Sequence, residues 1–284
     1  VEAEAHQQVE LRPGIGRSRR RRTRGAGCAL LRQAQHAKLH DTAFVLETAR
    51  VVVAGKIRNA RHVLLRGARE AKSDDEAKQL ARCADDLAAA LRGLPTATTL
   101  DEVRGIEGDA ARRYFERMTL LVRHDARESF KMDGRSRRPP RDRFNALLSF
   151  LYSMWMNDCR SAIEAAGLDP QLGFLHAVRP GRAALALDLM EEFRALAERL
   201  ALTLINRGQV TARDFVEREG GAVLLDSDAR RAVVVAFQER KKDELSHPLL
   251  AQPLALGLVP LVQARLLART IRGETEGYVP FLLR

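Results

Sequence analysis

Aromatic residues make up only 5% of this 284-residue chain and include a single tryptophan. Sheets draw on the aromatic and β-branched set, so this scarcity, beside an abundance of Ala, Leu and Arg, argues against a strand-rich fold. It favours a mostly α architecture with a short β-hairpin at most. Cysteine is scarce too: Cys28, Cys83 and Cys159 are odd in number, far apart and without a C-x-x-C spacing. That excludes a disulfide framework and a zinc knuckle and fits a reducing cytoplasm. Long apolar runs are also missing. The longest, Leu147 to Met156 and Leu254 to Val262, are each about half of the roughly 20 residues that span a bilayer, so no membrane segment is expected. The basic run Arg19 to Arg22 leads into no apolar signal core, which leaves secretion unsupported.

What is present is apolar bulk and positive charge. Hydrophobic residues at 45% suffice to fill a core, and the formal net charge is +11. In a chain without a membrane segment this charge implies a polyanionic partner, nucleic acid first and a membrane surface second, because clustered Arg and Lys release counterions from phosphates. The competing explanation is arginine spread over a solvated surface, so the placement of the clusters has to decide.

Residues 1–27, rich in Gln, Arg, Gly and Pro, carry no periodic apolar residue and are expected to form a disordered basic segment. Residues 28–284 are expected to form one helical domain. From Asp41 to Glu70 apolar residues recur at helical spacing. Ser73 with Glu76 and Thr99 with Glu102 read as capping boxes, the second opening a helix to about Val122. Residues 131–143, KMDGRSRRPPRDR, form a basic loop stiffened by Pro139 and Pro140. The stretch Phe144 to Ala166 is apolar nearly all round and reads as a buried central helix, with Trp155 in the core. A loop over 167–181, a helix over 184–206, a strand-like piece over 222–225 and helices over 229–245 and 260–271 complete the pattern.

Three places put acid or imidazole where plain packing would not. Glu107 lies between Gly105 and Gly108 in a predicted helix, and glycines there cost about 1 kcal/mol each relative to alanine, so they suggest close backbone approach. Read alone, Glu107 is as well explained as a surface residue. His176 ends the apolar loop Leu172 to Leu175, where a hydrogen-bonded core histidine is the plainer reading. Asp188, Glu191 and Glu192 interrupt the apolar stretch LALALDLMEEF, and Asp188 and Glu191, three apart, project from one helical face. Buried carboxylates call for a cation. Carboxylates with one imidazole suit Mg²⁺ or Mn²⁺, and a metal beside phosphate points to phosphodiester chemistry.

The strings GIEGDAARRYF (105–115), GRSRRPPRDRFNALLSFLY (134–152), GLDPQLGFLHAVRPGRAALALDLMEEFR (167–194), LINRGQV (204–210) and QARLLARTIRGETEGYVPF (263–281) together resemble the CRISPR-associated spacer-acquisition integrase. This is the catalytic Cas subunit of the adaptation complex, in its type I-C-like form, and the likeness runs from about Gly25 to the end. The resemblance implies a helical catalytic domain with a metal held by Glu107, His176 and Glu191 and with Asp188 as an adjacent catalytic acid. It also implies an endonuclease and integrase that inserts short DNA into a repeat array by 3′-hydroxyl attack and acts on branched DNA. Its partners would be double-stranded DNA, a second copy in a homodimer and a small ferredoxin-like companion. The family's N-terminal β-domain has no strand-rich counterpart here, so a truncated, catalytically silent DNA-binding fragment is the alternative, and an unrelated RNA-binding module a distant third. Arg135, Arg137, Arg138 and Arg141 on the Pro-stiffened loop, with Arg179 and Arg182 just after His176, are the expected phosphate contacts.

Overall fold

A computed structural model describes residues 20–247, 249–250 and 252–283, with side chains from Cys28 onward. The chain is mostly helical: α1 (Arg20–Lys38), α2 (Thr42–Glu70), α3 (Asp74–Gly93), α4 (Leu100–Arg117), the single turn α5 (His124–Arg127), α6 (Arg143–Ala166), α7 (Ala184–Met190) and α8 (Arg194–Asn206) come first. A hairpin of β1 (Phe215–Arg218) and β2 (Ala222–Leu225), then α9 (Ser227–Arg240), a second hairpin of β3 (Glu244–Ser246) and β4 (Pro253–Ala255), and α10 (Val259–Ile271) follow. Both hairpins are antiparallel, pairing Phe215 with Leu225 and Glu244 with Ala255. No helix among the described residues is long and apolar enough to cross a membrane.

Local chemistry sets most of these boundaries. The Asp41 carboxylate accepts the Phe44 amide at 3.1 Å and starts α2, Thr99 and Glu102 close a reciprocal box at the start of α4, and Asp142 accepts the Asn145 amide at 2.7 Å to start α6. Gly167, with φ of 90°, ends α6 in a left-handed conformation that a side chain would resist. α6 is the buried axis. It packs against α7, α8 and α10, and Trp155 stacks on Phe193 at 5.2 Å while Phe237 meets it edge-on. α2 packs along α3, and α4 packs on both.

Several expectations change. The described part of α1 begins at Arg20, inside the segment read as disordered, while residues 1–19 lie outside the described residues. Ser73 makes no side-chain capping bond, and the Glu76 carboxylate that would complete the box is drawn instead into an ion pair with Arg127 at 2.5 Å. α4 ends at Arg117 and passes into a 3₁₀ turn. Gly105 and Gly108 permit no close approach at all: a methyl group at either would meet nothing within 4 Å. In this region the steric demand falls on Gly173, where a Cβ would lie 2.7 Å from the Ala184 carbonyl carbon and 2.8 Å from Oδ2 of Asp188. The helix read over 184–206 is broken by a 3₁₀ turn at Glu191–Phe193, and α9 stops at Arg240 so that the chain can form the β3–β4 hairpin.

Candidate active site

The loop 172–176 cannot hold an imidazole in place by itself, having no regular backbone pairing, and it is held by side chains on three sides. From α7, Asp188 accepts the amides of Phe174, Leu175 and His176 at 2.6, 3.0 and 2.9 Å and also pairs with His176 Nδ1 at 2.7 Å. From α4, Arg104 donates twice to the Leu175 carbonyl, at 3.1 and 2.7 Å. From α1, the buried Gln35 amide bonds the carbonyls of Asp169 and Leu172. Glycine at 173 lets the chain pass this close to Asp188. With Nδ1 tied to a carboxylate, the imidazole presents Nε2, which lies 4.0 Å from Oε1 of Glu191.

Glu191 stands at the break between α7 and α8, with only 2% of its side chain exposed. Arg194, one turn on, forks onto it with two bonds of 2.7 Å, and Lys56 from α2 reaches Oε2 at 2.7 Å. Burial alone would raise the pKa of Glu191. Arg194 first and Lys56 second reverse this and hold the carboxyl well below its ordinary range. The same Lys56 ammonium bonds Oε1 of Glu107 on α4, whose side chain is 24% exposed. One cation therefore bridges the two carboxylates, with His176 facing one of them.

The break also explains the neighbouring acids. Glu192 turns away from the site and receives the Gln263 amide at 2.8 Å, the Phe281 amide at 2.6 Å and the Tyr278 hydroxyl. It anchors the C-terminal strap, which Asn59 of α2 also clamps through Phe281 and Leu283. Burial pushes the Glu192 carboxyl up to about 7 against those three bonds. A folded pKa above the unfolded one means that its contribution is fully present below pH about 4.5 and is lost as pH rises through about 7. The loss is worth about 3 kcal/mol for a shift of this size. Glu192→Gln should remove that dependence. The Tm difference, wild type minus variant, should fall by several degrees from pH 4.5 to 8, and a flat difference would contradict the assignment.

Behind Glu191, Glu198 accepts the Tyr114 and Tyr152 hydroxyls at 2.7 and 2.5 Å, and burial raises its pKa. Arg194 lies over the Tyr152 ring at 4.8 Å. On the ring's other neighbour, Arg135 departs from its expected role. Its guanidinium turns inward to Asn145 at 2.6 Å and Ser149 at 3.1 Å, and over the Tyr152 ring at 5.2 Å. Arg137, Arg138 and Arg141 are exposed, although Arg141 also bonds the Gly220 carbonyl at 2.7 Å. Arg179 is exposed and Arg182 half-buried, on the loop leaving His176.

The structure thus brings Glu107, His176 and Glu191 together and turns Asp188 towards the loop. Sequence reasoning missed Lys56, Arg194, Arg104 and Glu198. Lys56 had a visible signal, a lone lysine in the apolar run VVVAGKI, and Arg194 sits one turn past Glu191. No three His, Cys, Asp or Glu groups among the described residues lie in ready metal-holding geometry. The donor chemistry nevertheless fits a hard divalent cation: two carboxylates face one buried ammonium, with an imidazole nitrogen beside them.

Residues 16–239 match the family described as CRISPR associated protein Cas1. A protein named CRISPR-associated endonuclease Cas1 1 from Moorella thermoacetica is 55% identical over 91% of this chain and 76% of its own length. CRISPR-associated endonuclease Cas1 from Leptospira interrogans is 44% identical over 89% of this chain and 99% of its own. Among solved structures, a chain of the partial Cas6-RT-Cas1–Cas2 complex superposes with a TM-score of 0.74 at 28% identity, over 88% of this chain and 73% of that one. The helical fold, the matched residues and this identity together establish that the chain belongs to the Cas1 family.

Proposed function

We propose that the chain is a divalent-metal-dependent DNA endonuclease and integrase of CRISPR adaptation, acting through Glu107, His176 and Glu191. The observation that carries this reading is the convergence of two carboxylates from different helices on one cation, Lys56, beside an imidazole whose free nitrogen faces in. Two of the relatives described above are named endonucleases. Glu107, Glu191 and His176 would hold Mg²⁺ or Mn²⁺. The metal supplies polarisation of a phosphoryl oxygen and neutralises charge developing on the transferring phosphate.

The chain's own residues do the rest. Asp188 fixes the tautomer and tilt of His176, and Arg194 keeps Glu191 ionised and aimed. Lys56, which bridges the two carboxylates, would supply a further positive charge beside the phosphate. Arg179 and Arg182, with Arg137, Arg138 and Arg141, position the strands through phosphate contacts that carry no sequence information. Duplex and branched DNA, a second copy of the chain and a small ferredoxin-like Cas companion complete the reading. A solved neighbour described as a partial Cas6-RT-Cas1–Cas2 complex supports a Cas companion.

The purified chain should cleave branched DNA with Mn²⁺ or Mg²⁺ and stop on chelation. Glu107→Gln and His176→Ala should each cut the rate at least about 100-fold, beyond the range of outer-shell changes, and leave DNA affinity nearly unchanged. DNA binding without any divalent-dependent cleavage in wild type would favour the catalytically silent fragment. Full activity in His176→Ala would remove the histidine from the mechanism.

A further inference from the structure

A second basic feature lies away from this site. α2 leaves the active site at Lys56 and, about 10 Å further along at 1.5 Å per residue, enters a groove of about 1640 Å³ at Val63. The groove runs between the second half of α2, the turn before α3, the 120–127 segment, α8 and α9. Each of its five carboxylates is already ion-paired with one of its own lysines or arginines. Lys72, Arg199 and Arg207 are left with no acidic partner among the described residues, so the groove carries a surplus of three positive charges.

Arg199 is the informative member. It is half-buried on α8, and its guanidinium donates no hydrogen bond to any described group. Burial, then the neighbouring Arg66 and Arg240, lower its pKa from the ordinary arginine value, and the nearby His62 is lowered first by burial and then by Arg199. This half-buried cation has two other arginines near it and only Glu70, itself paired with Arg66, to offset them in part, so an added anion would relieve it. Small-molecule pockets hold about 300–1,000 Å³, which this groove exceeds, and its unpaired cations are strung out rather than gathered around one point: Arg199 and Arg207 lie about 12 Å apart along α8 and its end, and Lys72 lies in the turn before α3.

We propose that this groove is a second nucleic-acid site, in which Arg199, with Lys72 and Arg207, contacts the sugar–phosphate backbone of DNA at a distance from the reacting phosphodiester. The proposal extends the functional reading above from where DNA is cut to where it is also held, and it is tested without divalent ions so that the two stand or fall separately. Duplex binding is measured in chelator across a salt series for wild type, Arg199→Gln and the triple variant Lys72→Gln/Arg199→Gln/Arg207→Gln. The log–log slope should flatten by about 0.9 in the single variant and about 2.7 in the triple.

Ligand-free Arg199→Gln should melt at or above the wild-type temperature, because repulsion from Arg66 and Arg240 is removed. A merely structural arginine would instead lower it. Duplex DNA should raise the wild-type melting temperature more than the triple variant's. Overturning results are an unchanged slope in the triple variant, a lowered Tm in Arg199→Gln, or equal protection of wild type by inorganic phosphate or by polyglutamate. The last two would mark a small-anion site and an acidic-protein site respectively.

Discussion

Asp188→Asn should lower divalent-dependent cleavage by about 10–100-fold, the range for outer-shell partners of metal-site histidines, while leaving DNA affinity close to wild type. The carboxylate accepts three backbone amides and the His176 ring together, with 3% of its side chain exposed. An asparagine of the same shape turns one acceptor into a donor facing those amides. At least one buried N–H then loses its partner, and the charge-assisted character of the remaining bonds is lost, which together cost about 3 kcal/mol. That corresponds to roughly 6–10 °C in Tm for a chain of this size.

The catalytic loss has a separate origin. Without the negative charge at Nδ1 nothing selects the tautomer that offers Nε2, and the loop loses its lower support while Arg104 still holds the Leu175 carbonyl from above. Comparing Asp188→Asn with Arg104→Gln separates the two. The second should weaken the loop yet keep the tautomer, and so lose less activity per degree of melting temperature. Wild-type cleavage by Asp188→Asn would show that the orientation of His176 does not limit the reaction.

The elements of this fold were legible because their signals are local. Thr99 with Glu102 carries its cap within three residues, and the apolar girdle of α6 announces burial around Trp155. Of the candidate site, the acids in LALALDLMEEF carried a local signal, being polar residues set in an apolar string, whereas His176 and Glu107 read alone had plainer explanations and were singled out through the resemblance. What stayed hidden depends on pairing across distance. Lys56 lies 51 positions before Glu107 in sequence yet bonds it, and no local pattern shows that α2 and α4 would bring them together.

The misreadings have the same root. Charge density on 131–143 does not reveal that Asn145, Ser149 and the Tyr152 ring, all on the helix that follows, capture Arg135 and turn it inward. Gly105 and Gly108 drew attention by composition, whereas beside the site the steric demand lies at Gly173, whose neighbours are Ala184 and the Asp188 carboxylate, 11 and 15 positions later in the chain. Nor does helical period foresee the turn at Glu191–Phe193. That turn sends Glu191 towards Lys56 and Glu192 towards the C-terminal strap, giving adjacent acids opposite pKa shifts: Glu191 falls and Glu192 rises.

Arg194→Leu should be the most destabilising single change in the site. The guanidinium is 12% exposed, makes both bonds to Glu191 and covers the Tyr152 ring, and removing it leaves a buried carboxylate with Lys56 as its remaining cation. Breaking a buried pair from one side costs about 3–5 kcal/mol, because the uncompensated charge stays behind. Glu198, which Arg194 and Lys56 also stabilise in its ionised form, should become easier to protonate. Arg194→Lys keeps the charge but not the fork, so it should fall between the variant and wild type.

The double variant Arg194→Leu/Glu191→Leu removes the stranded charge and should recover most of the stability, since a buried ion pair and a well-packed apolar pair of similar volume are often close in energy. It should recover no cleavage, because in the function proposed above Glu191 would hold the metal. Chemical denaturation of wild type, the two single variants and the double gives the coupling free energy directly. A double variant as unstable as Arg194→Leu would mean that the arginine contributes through its packing on Tyr152 and not through Glu191. In that case the restraint on the catalytic carboxylate would fall to Lys56 alone.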